Sequence, residues 1–270
     1  MAWFHGLATA NRSFADHPVT VLALEAGFGL LIGLLLGMVG GGGSILTVPI
    51  LVYVIGLSAH DATATSLVIV GATALLGVVP HWRNGNVHVR TALGFGAAGI
   101  LGAFAGTALH QLVDESLILF GFGFLMLVVA GRMAFSGTPA PRSVSDRQVL
   151  LSTIVAGALV GVLTGFFGVG GGFLIVPALV LALGLPMKQA IGTSLLIIAI
   201  NSAAGAAARW SAGGFDWEVA AIFIAGGVVG SQIGVRVAQR VNDRRLATAF
   251  AGLVAVVGVY VIVRNATRVW

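Results

Sequence analysis

The chain carries one pattern twice, at a constant offset of 128 residues: GLLLGMVGGGGSILTVP ends at Pro49 and GVLTGFFGVGGGFLIVP ends at Pro177. Without a gap, the offset pairs Gly29, Gly33, Gly37 and Gly40 with Gly157, Gly161, Gly165 and Gly168. It also pairs Thr65-Ser66-Leu67 with Thr193-Ser194-Leu195, Trp82 with Trp210, and Gly102 and Gly106 with Gly230 and Gly234. Two equivalent halves are expected, each with a long apolar stretch broken by glycine at the same place. Duplicated, interrupted hydrophobic segments point to a membrane transporter and to where its site lies.

With 58% hydrophobic and only 9% charged residues, a soluble fold could not cover its own surface, so the chain must be integral to a membrane. The net charge of +5 does not signal nucleic acid, because the cations sit singly in short links between apolar runs, as orientation signals do. There is no cysteine, hence no disulfide or thiolate metal site. No cofactor or metal is expected. The polar segment 1–19 lacks the basic start and apolar core of a cleaved signal peptide.

Apolar runs fall near 20–39, 45–57, 62–80, 90–112 and 116–134, then near 148–167, 173–185, 189–208, 217–239 and 246–264. The expected fold is an all-α membrane protein of two inverted repeats, 1–135 and 148–270, joined by a linker at 136–147. Each repeat has about five hydrophobic segments. The second of each is only about 13 residues, too short for a core about 30 Å thick, and should be tilted, half-way or re-entrant. If the first two segments of each half form a hairpin, ten Lys and Arg fall on one side and four on the other; if they form one helix, the split is nine to five. The positive-inside rule favours the hairpin, which inverts the halves and puts both termini outside.

Each glycine costs about 1 kcal/mol against alanine inside a helix, so a run of them abandons helical pairing. Bared amides in a membrane are tolerable only where protein or a wet cavity satisfies them, and a helix starting there offers N–H groups to an anion. Gly41, Gly42, Gly43 and Ser44, with Gly170, Gly171 and Gly172, are therefore candidate substrate ligands. A flexible linker explains an isolated GGGGS but not a doubled one, and close helix packing explains Gly29, Gly33 and Gly37 but does not require consecutive glycines.

Thr65 and Ser66, with Thr193 and Ser194, follow the breaks in register; their hydroxyls could donate to an oxyanion or bond back to their own helices. Asn201, whose counterpart is Thr73, is a buried amide suited to substrate contact or to helix adhesion. His60 pairs by position with Lys188, and His81 with Arg209; inversion would set one of each pair at either mouth as an anion funnel or as interfacial anchors. Glu25 is the carboxylate well inside a span and a candidate for coupling to H+ or Na+. Gly94-Phe-Gly-Ala-Ala-Gly99 matches a dinucleotide fingerprint by accident, since no strand precedes it. Walker and common hydrolase motifs are absent, so no catalytic residues are expected.

The stretch GFFGVGGGFLIVPALVLALGLPMKQAIGTSLLII, Gly165 to Ile198, and its first-half counterpart resemble the TauE/SafE sulfite-exporter family, a broad anion-permease group. The resemblance implies a multi-pass protein of a bacterial-type inner membrane that moves sulfite, sulfonates such as sulfoacetate, or related anions. The first half departs from the pattern with Ser44 for Gly172 and Ala64 for Gly192, which bears on whether both halves bind equally. The function expected is a secondary transporter, acting as an exporter, with alternating access to an anion held between the repeats. The alternative is a passive anion channel or a permease for another small anion. The partners expected are the substrate, the bilayer and a candidate coupling ion. Oligomeric state and coupling are not legible.

Overall fold

Runs of Leu, Val, Ile, Ala and Gly with no polar stripe form helices that are apolar all round, as membrane spans are. The computed structural model describes residues 19–110, 112, 115–135, 146–167 and 172–269. These form ten α-helices and, among the described residues, no strand. The first five are α1 (Val19–Val39), α2 (Ser44–Tyr53), α3 (Ala59–Arg83), α4 (Val89–His110) and α5 (Glu115–Phe135). The second five are α6 (Asp146–Phe167), α7 (Gly172–Pro177), α8 (Met187–Arg209), α9 (Trp217–Arg240) and α10 (Asp243–Val269). Adding 128 to α1 through α5 gives α6 through α10 in order. Eight helices are long and apolar enough to cross a bilayer, while the segments Gly41–Tyr53 and Gly172–Ala182 are shorter.

Local chemistry sets the boundaries. The α3 helix starts before the apolar run because the Ser58 hydroxyl accepts from the Asp61 N–H at 3.1 Å. Asp216 caps α9 by accepting from the Val219 N–H at 3.1 Å. An acceptor from another helix serves α8: the Met187 N–H donates to Asp243 Oδ2 at 2.9 Å. Pro177 lacks the N–H that would continue an α-ladder, and the chain runs on as a π-helical turn over Ala178–Ala182.

Glycine contacts fix the relative directions of the helices. A Cβ on Gly29, Gly33 or Gly37 of α1 would strike the backbone at Phe223, Gly227 or Ser231 of α9, so these two helices run parallel. In the same way Gly157, Gly161 and Gly165 of α6 meet Phe95, Gly99 and Ala103 of α4. These are small-residue seams of the kind membrane helices use to approach closely. Thr65 faces Asp216 and Gly77 faces Ser231, so α3 runs with α9; His88 faces Thr193 and Gly96 faces Asn201, so α4 runs with α8. Leu67 with Gly205, Gly71 with Ser202 and Gly77 with Leu195 make α3 and α8 antiparallel. Contacts of Gly123 with Ile262 and of Gly258 with Met126 make α5 and α10 antiparallel too.

Because α1 and α3 both run with α9, α2 must carry the chain back between them. The same reasoning makes α7 the return between α6 and α8. The end of the molecule where α3 finishes and α4 begins, here the upper end, carries Arg83, Arg90, Arg132, Arg147, Lys188, Arg236, Arg240, Arg244 and Arg245. Arg209 lies at the lower end, where α8 stops. Trp82 marks the upper end, and a cluster of Trp210, Phe215 and Trp217 with ring centroids 5.5–6.0 Å apart marks the lower, as interfacial aromatics do. Large apolar side chains such as Leu101, Phe104 and Phe124 face outward, suited to lipid.

Candidate substrate cavity

The first glycine run breaks the chain as composition demands. After α1, Gly40 takes a φ of 73°, Gly41–Gly43 form a single 3-10 turn, and α2 starts at Ser44. Gly41, Gly42 and Gly43 are buried. The backbone of Gly41 packs on that of Gly172, so the two breaks meet near the centre of the molecule. Ser44 donates to the Gly41 carbonyl at 2.7 Å. Gly170 and Gly171 lie outside the described residues.

The Thr-Ser pairs take separate tasks. Thr65 Oγ1 accepts from the Asp216 N–H at 3.0 Å, and Thr193 Oγ1 accepts from the His88 N–H at 3.1 Å. These bonds are equivalent at the 128-residue offset, and each straps one half to the other. Ser66 and Ser194 donate to the carbonyls of Thr63 and Ile191, both at 2.8 Å. Ser194 also lies against Gly40, at the first break.

A cavity of about 330 Å³ opens between α3, α4, α6, α7 and α8. Its deep walls are Phe95, Val160, Ile175 and Ile198, and its lining descends past Asn201 and Ser202 to Thr107, Thr164 and Arg209 at the lower end. Asn201 stands at mid-height, where α3 and α8 cross. Its Oδ1 is buried with no hydrogen-bond partner among the described residues. The Ser202 hydroxyl and the Arg209 guanidinium are likewise unpartnered among them. Thr107 and Thr164 instead donate to their own helices, at 2.9 and 2.7 Å. Among the described residues no carboxylate lines the space. Arg209 is thus a cation without a counter-charge among the described residues, on the same wall as the Ser202 hydroxyl and the Asn201 amide, which brings an acceptor as well as a donor; the positive charge suits an anion.

Of the sequence candidates among the described residues, Asn201 and Arg209 line this cavity. Sequence reasoning alone does not single out Ser202, Thr107 or Thr164. Ser202 had a signal, as a hydroxyl adjoining a mid-span amide; Thr164 and Thr107 had none beyond lying beside glycine-rich helix faces. His60 sits at the lower end, 3.5 Å from Asp61, and Lys188 at the upper end donates to the Gln239 carbonyl at 3.0 Å. His81 is buried in the upper half with Nε2 3.4 Å from the Gly37 carbonyl. Glu25 is fully buried in α1. The Gly94 to Gly99 motif lies inside α4, where Gly99 serves the seam with α6 and lines the cavity.

Several residues equivalent to the cavity walls are closed off. Leu67, Ala103, Thr164, Asn201 and Arg209 are partly exposed, whereas Leu195, Ser231, Leu36 and Thr73 are 0% exposed and His81 is 1%. The difference lies in the seams: α9 presses on α3, so that a Cβ on Gly227 would come within 2.7 Å of Thr73 Oγ1, while α4 stands off α8, where a Cβ on the equivalent Gly99 would lie 3.9 Å from Asn201 Nδ2.

Residues 25–261 match the profile of the family described as sulfite exporter TauE/SafE. The chain belongs to that family. A probable membrane transporter protein of Xylella fastidiosa (strain 9a5c) is 38% identical over 250 residues, covering 90% of this chain and 96% of its own. The probable membrane transporter protein YdhB of Bacillus subtilis (strain 168) is 26% identical over 76% of this chain and 86% of its own. A probable membrane transporter protein of Methanocaldococcus jannaschii is 24% identical over 87% and 92%. No solved structure gives a significant match. With its eight candidate spans, this member of the family is a multi-pass membrane transporter.

Proposed function

We propose that the protein is a secondary transporter of small sulfur-containing anions, such as sulfite or organosulfonates including sulfoacetate, and that it exposes one central site alternately to the two sides of an inner membrane. The observation carrying this reading is the unequal packing of two equivalent spaces: the α4–α8 side is a cavity, while Leu36, Thr73, His81, Leu195 and Ser231, equivalent to five of its wall residues, are buried on the α3–α9 side. If the halves exchange conformations, the first closes and the second opens, and the site then faces the other way. A pore would need both ends open together. The antiparallel contacts of α3 with α8 and of α5 with α10 support an inverted relation between the repeats.

An anion is supported by the Arg209 cation and the Ser202 hydroxyl on the cavity wall, with the Asn201 amide beside them, and by the family description. The N–H groups of Gly41 to Ser44 and Gly170 to Gly172 complete the site in this reading, since Ile175, one turn beyond Gly172, reaches the cavity wall. The arginine-rich upper end faces the cytoplasm, which puts both termini and the cavity mouth outside. Glu25 is the carboxylate offered to a coupling ion.

The test is flux in liposomes. Purified protein should give saturable transport of sulfite or sulfoacetate, slowed by Asn201→Ala. Flux proportional to concentration with single-channel currents would favour a passive pore, and the absence of saturable flux for every such anion would count against transport of this class.

A further inference from the structure

We infer that His81 is a proton-binding residue of the transport cycle: it takes a proton from the arginine-rich side when the α3–α9 half opens. It then presents there, at the position equivalent to Arg209, a cation whose charge depends on pH. The inference rests on the alternating-access reading and adds a titrating group to it.

Two polar atoms in the closed half carry it. Thr73 Oγ1 and His81 Nδ1 are buried with no hydrogen-bond partner among the described residues, and adding 128 to their positions gives Asn201 and Arg209 on the open wall. His81 is held on two sides. Its Nε2 lies 3.4 Å from the Gly37 carbonyl of α1, and a Cβ on Gly192 of α8 would come within 3.0 Å of its own Cβ. A carbonyl only accepts, so Nε2 holds the proton and Nδ1 is a bare acceptor: the ring is neutral. An imidazolium would add an Nδ1–H for which the described residues offer no acceptor, so the half closes over the neutral ring. Opening that half as the other is open would wet the ring, and a solvated histidine titrates at about pH 6.5. The proton comes from the arginine-rich aqueous phase and returns to it on closing.

The charged and titratable groups near that level are Arg83 on α3, His88 in the link to α4, Lys188 on α8 and Arg236 on α9. Lys188 donates to the Gln239 carbonyl, and His88 Nε2 lies 2.9 Å from Gln189 Oε1. On α1 the titratable residue is Glu25, about 18 Å along the helix from Gly37, and on α2 it is Tyr53 at the lower end. Asp243 of α10 accepts from the Met187 N–H at the start of α8. No carboxylate among the described residues bonds the His81 ring.

The experiment uses Ser231→Cys in proteoliposomes and an impermeant thiol reagent on the arginine-rich side. The labelling rate of residue 231 is divided by that of the exposed Asn84→Cys, which removes the reagent's own pH dependence. Only the open half binds the proton, so acid favours opening. The ratio should rise about tenfold as the pH of that side falls from about 8 to about 5.5, and the pH of the opposite side should not move it. Added to Ser231→Cys, His81→Gln keeps a donor for the Gly37 carbonyl but gains no charge, and should make the ratio constant. His81→Arg, permanently charged, should hold it high at every pH, and His88→Gln should leave the rise in place.

A ratio that is flat with pH while residue 231 is labelled overturns the inference and leaves alternating access intact. The same rise in His81→Gln or His81→Arg assigns the proton to another group and overturns it as well. A residue 231 unlabelled at every pH contradicts both readings.

Discussion

Asn201 is the residue on which site and sequence agree most closely. An amide in the middle of an apolar span must find partners; its Oδ1 is buried beside Gly96 with none among the described residues, and the residue lines the cavity, where Nδ2 on the Gly99 side is the group that can donate to an anion. Removing a group that bonds nothing at rest costs the fold little, while hydrogen bonds to charged ligands contribute about 1.5–3 kcal/mol. Asn201→Ala should therefore weaken anion binding by about ten- to a hundredfold and leave Tm nearly unchanged, as titration and thermal unfolding of the same preparation would check. A large loss of Tm with unaltered affinity would make Asn201 a structural amide. Asn201 was legible because a mid-span amide is rare. Thr164 and Thr107 were not, because a membrane helix tolerates a threonine bonded to its own backbone anywhere.

Among helices, close approach does what polar contacts do in soluble folds. Gly33 of α1 lies on the backbone of Gly227, whereas Gly27 has open space around it. Gly33→Leu should abolish monodisperse folded protein in size-exclusion chromatography, and Gly27→Ala should leave it intact. The straps from Thr65 and Thr193 act at opposite ends of the molecule, so Thr65→Val and Thr193→Val should each cost about 1–3 kcal/mol through an orphaned backbone N–H, with nearly additive losses of stability in the double variant. The doubled Thr-Ser pattern revealed that these positions matter. It did not reveal that the threonine partners are backbone N–H groups of the opposite half, because spacing within one repeat carries no record of what the other repeat places against it. Segment order, the two short returns and the glycine break at Gly40 were legible, since each follows from local propensity and run length.

At the scale of the whole molecule, the sequence offset announces two equivalent halves, and equivalence is the one thing that cannot say which half is open. Leu36 and Thr164, or His81 and Arg209, hold matching positions yet differ in exposure, because α9 has closed on α3 while α4 has not closed on α8. Packed interfaces switch between discrete arrangements rather than deform continuously, so this asymmetry is read as one of two states. The chain has no cysteine, so an introduced one is unique. The most direct measurement compares Ala103→Cys on the open wall with Ser231→Cys at the equivalent closed position, using a membrane-impermeant thiol reagent from either side during transport. The account predicts that residue 103 is labelled from the arginine-poor side, that residue 231 is labelled from the arginine-rich side, and that conditions protecting one expose the other. A residue 231 that stays unlabelled from both sides while substrate is moving, or labelling of both residues from the same side, would contradict it.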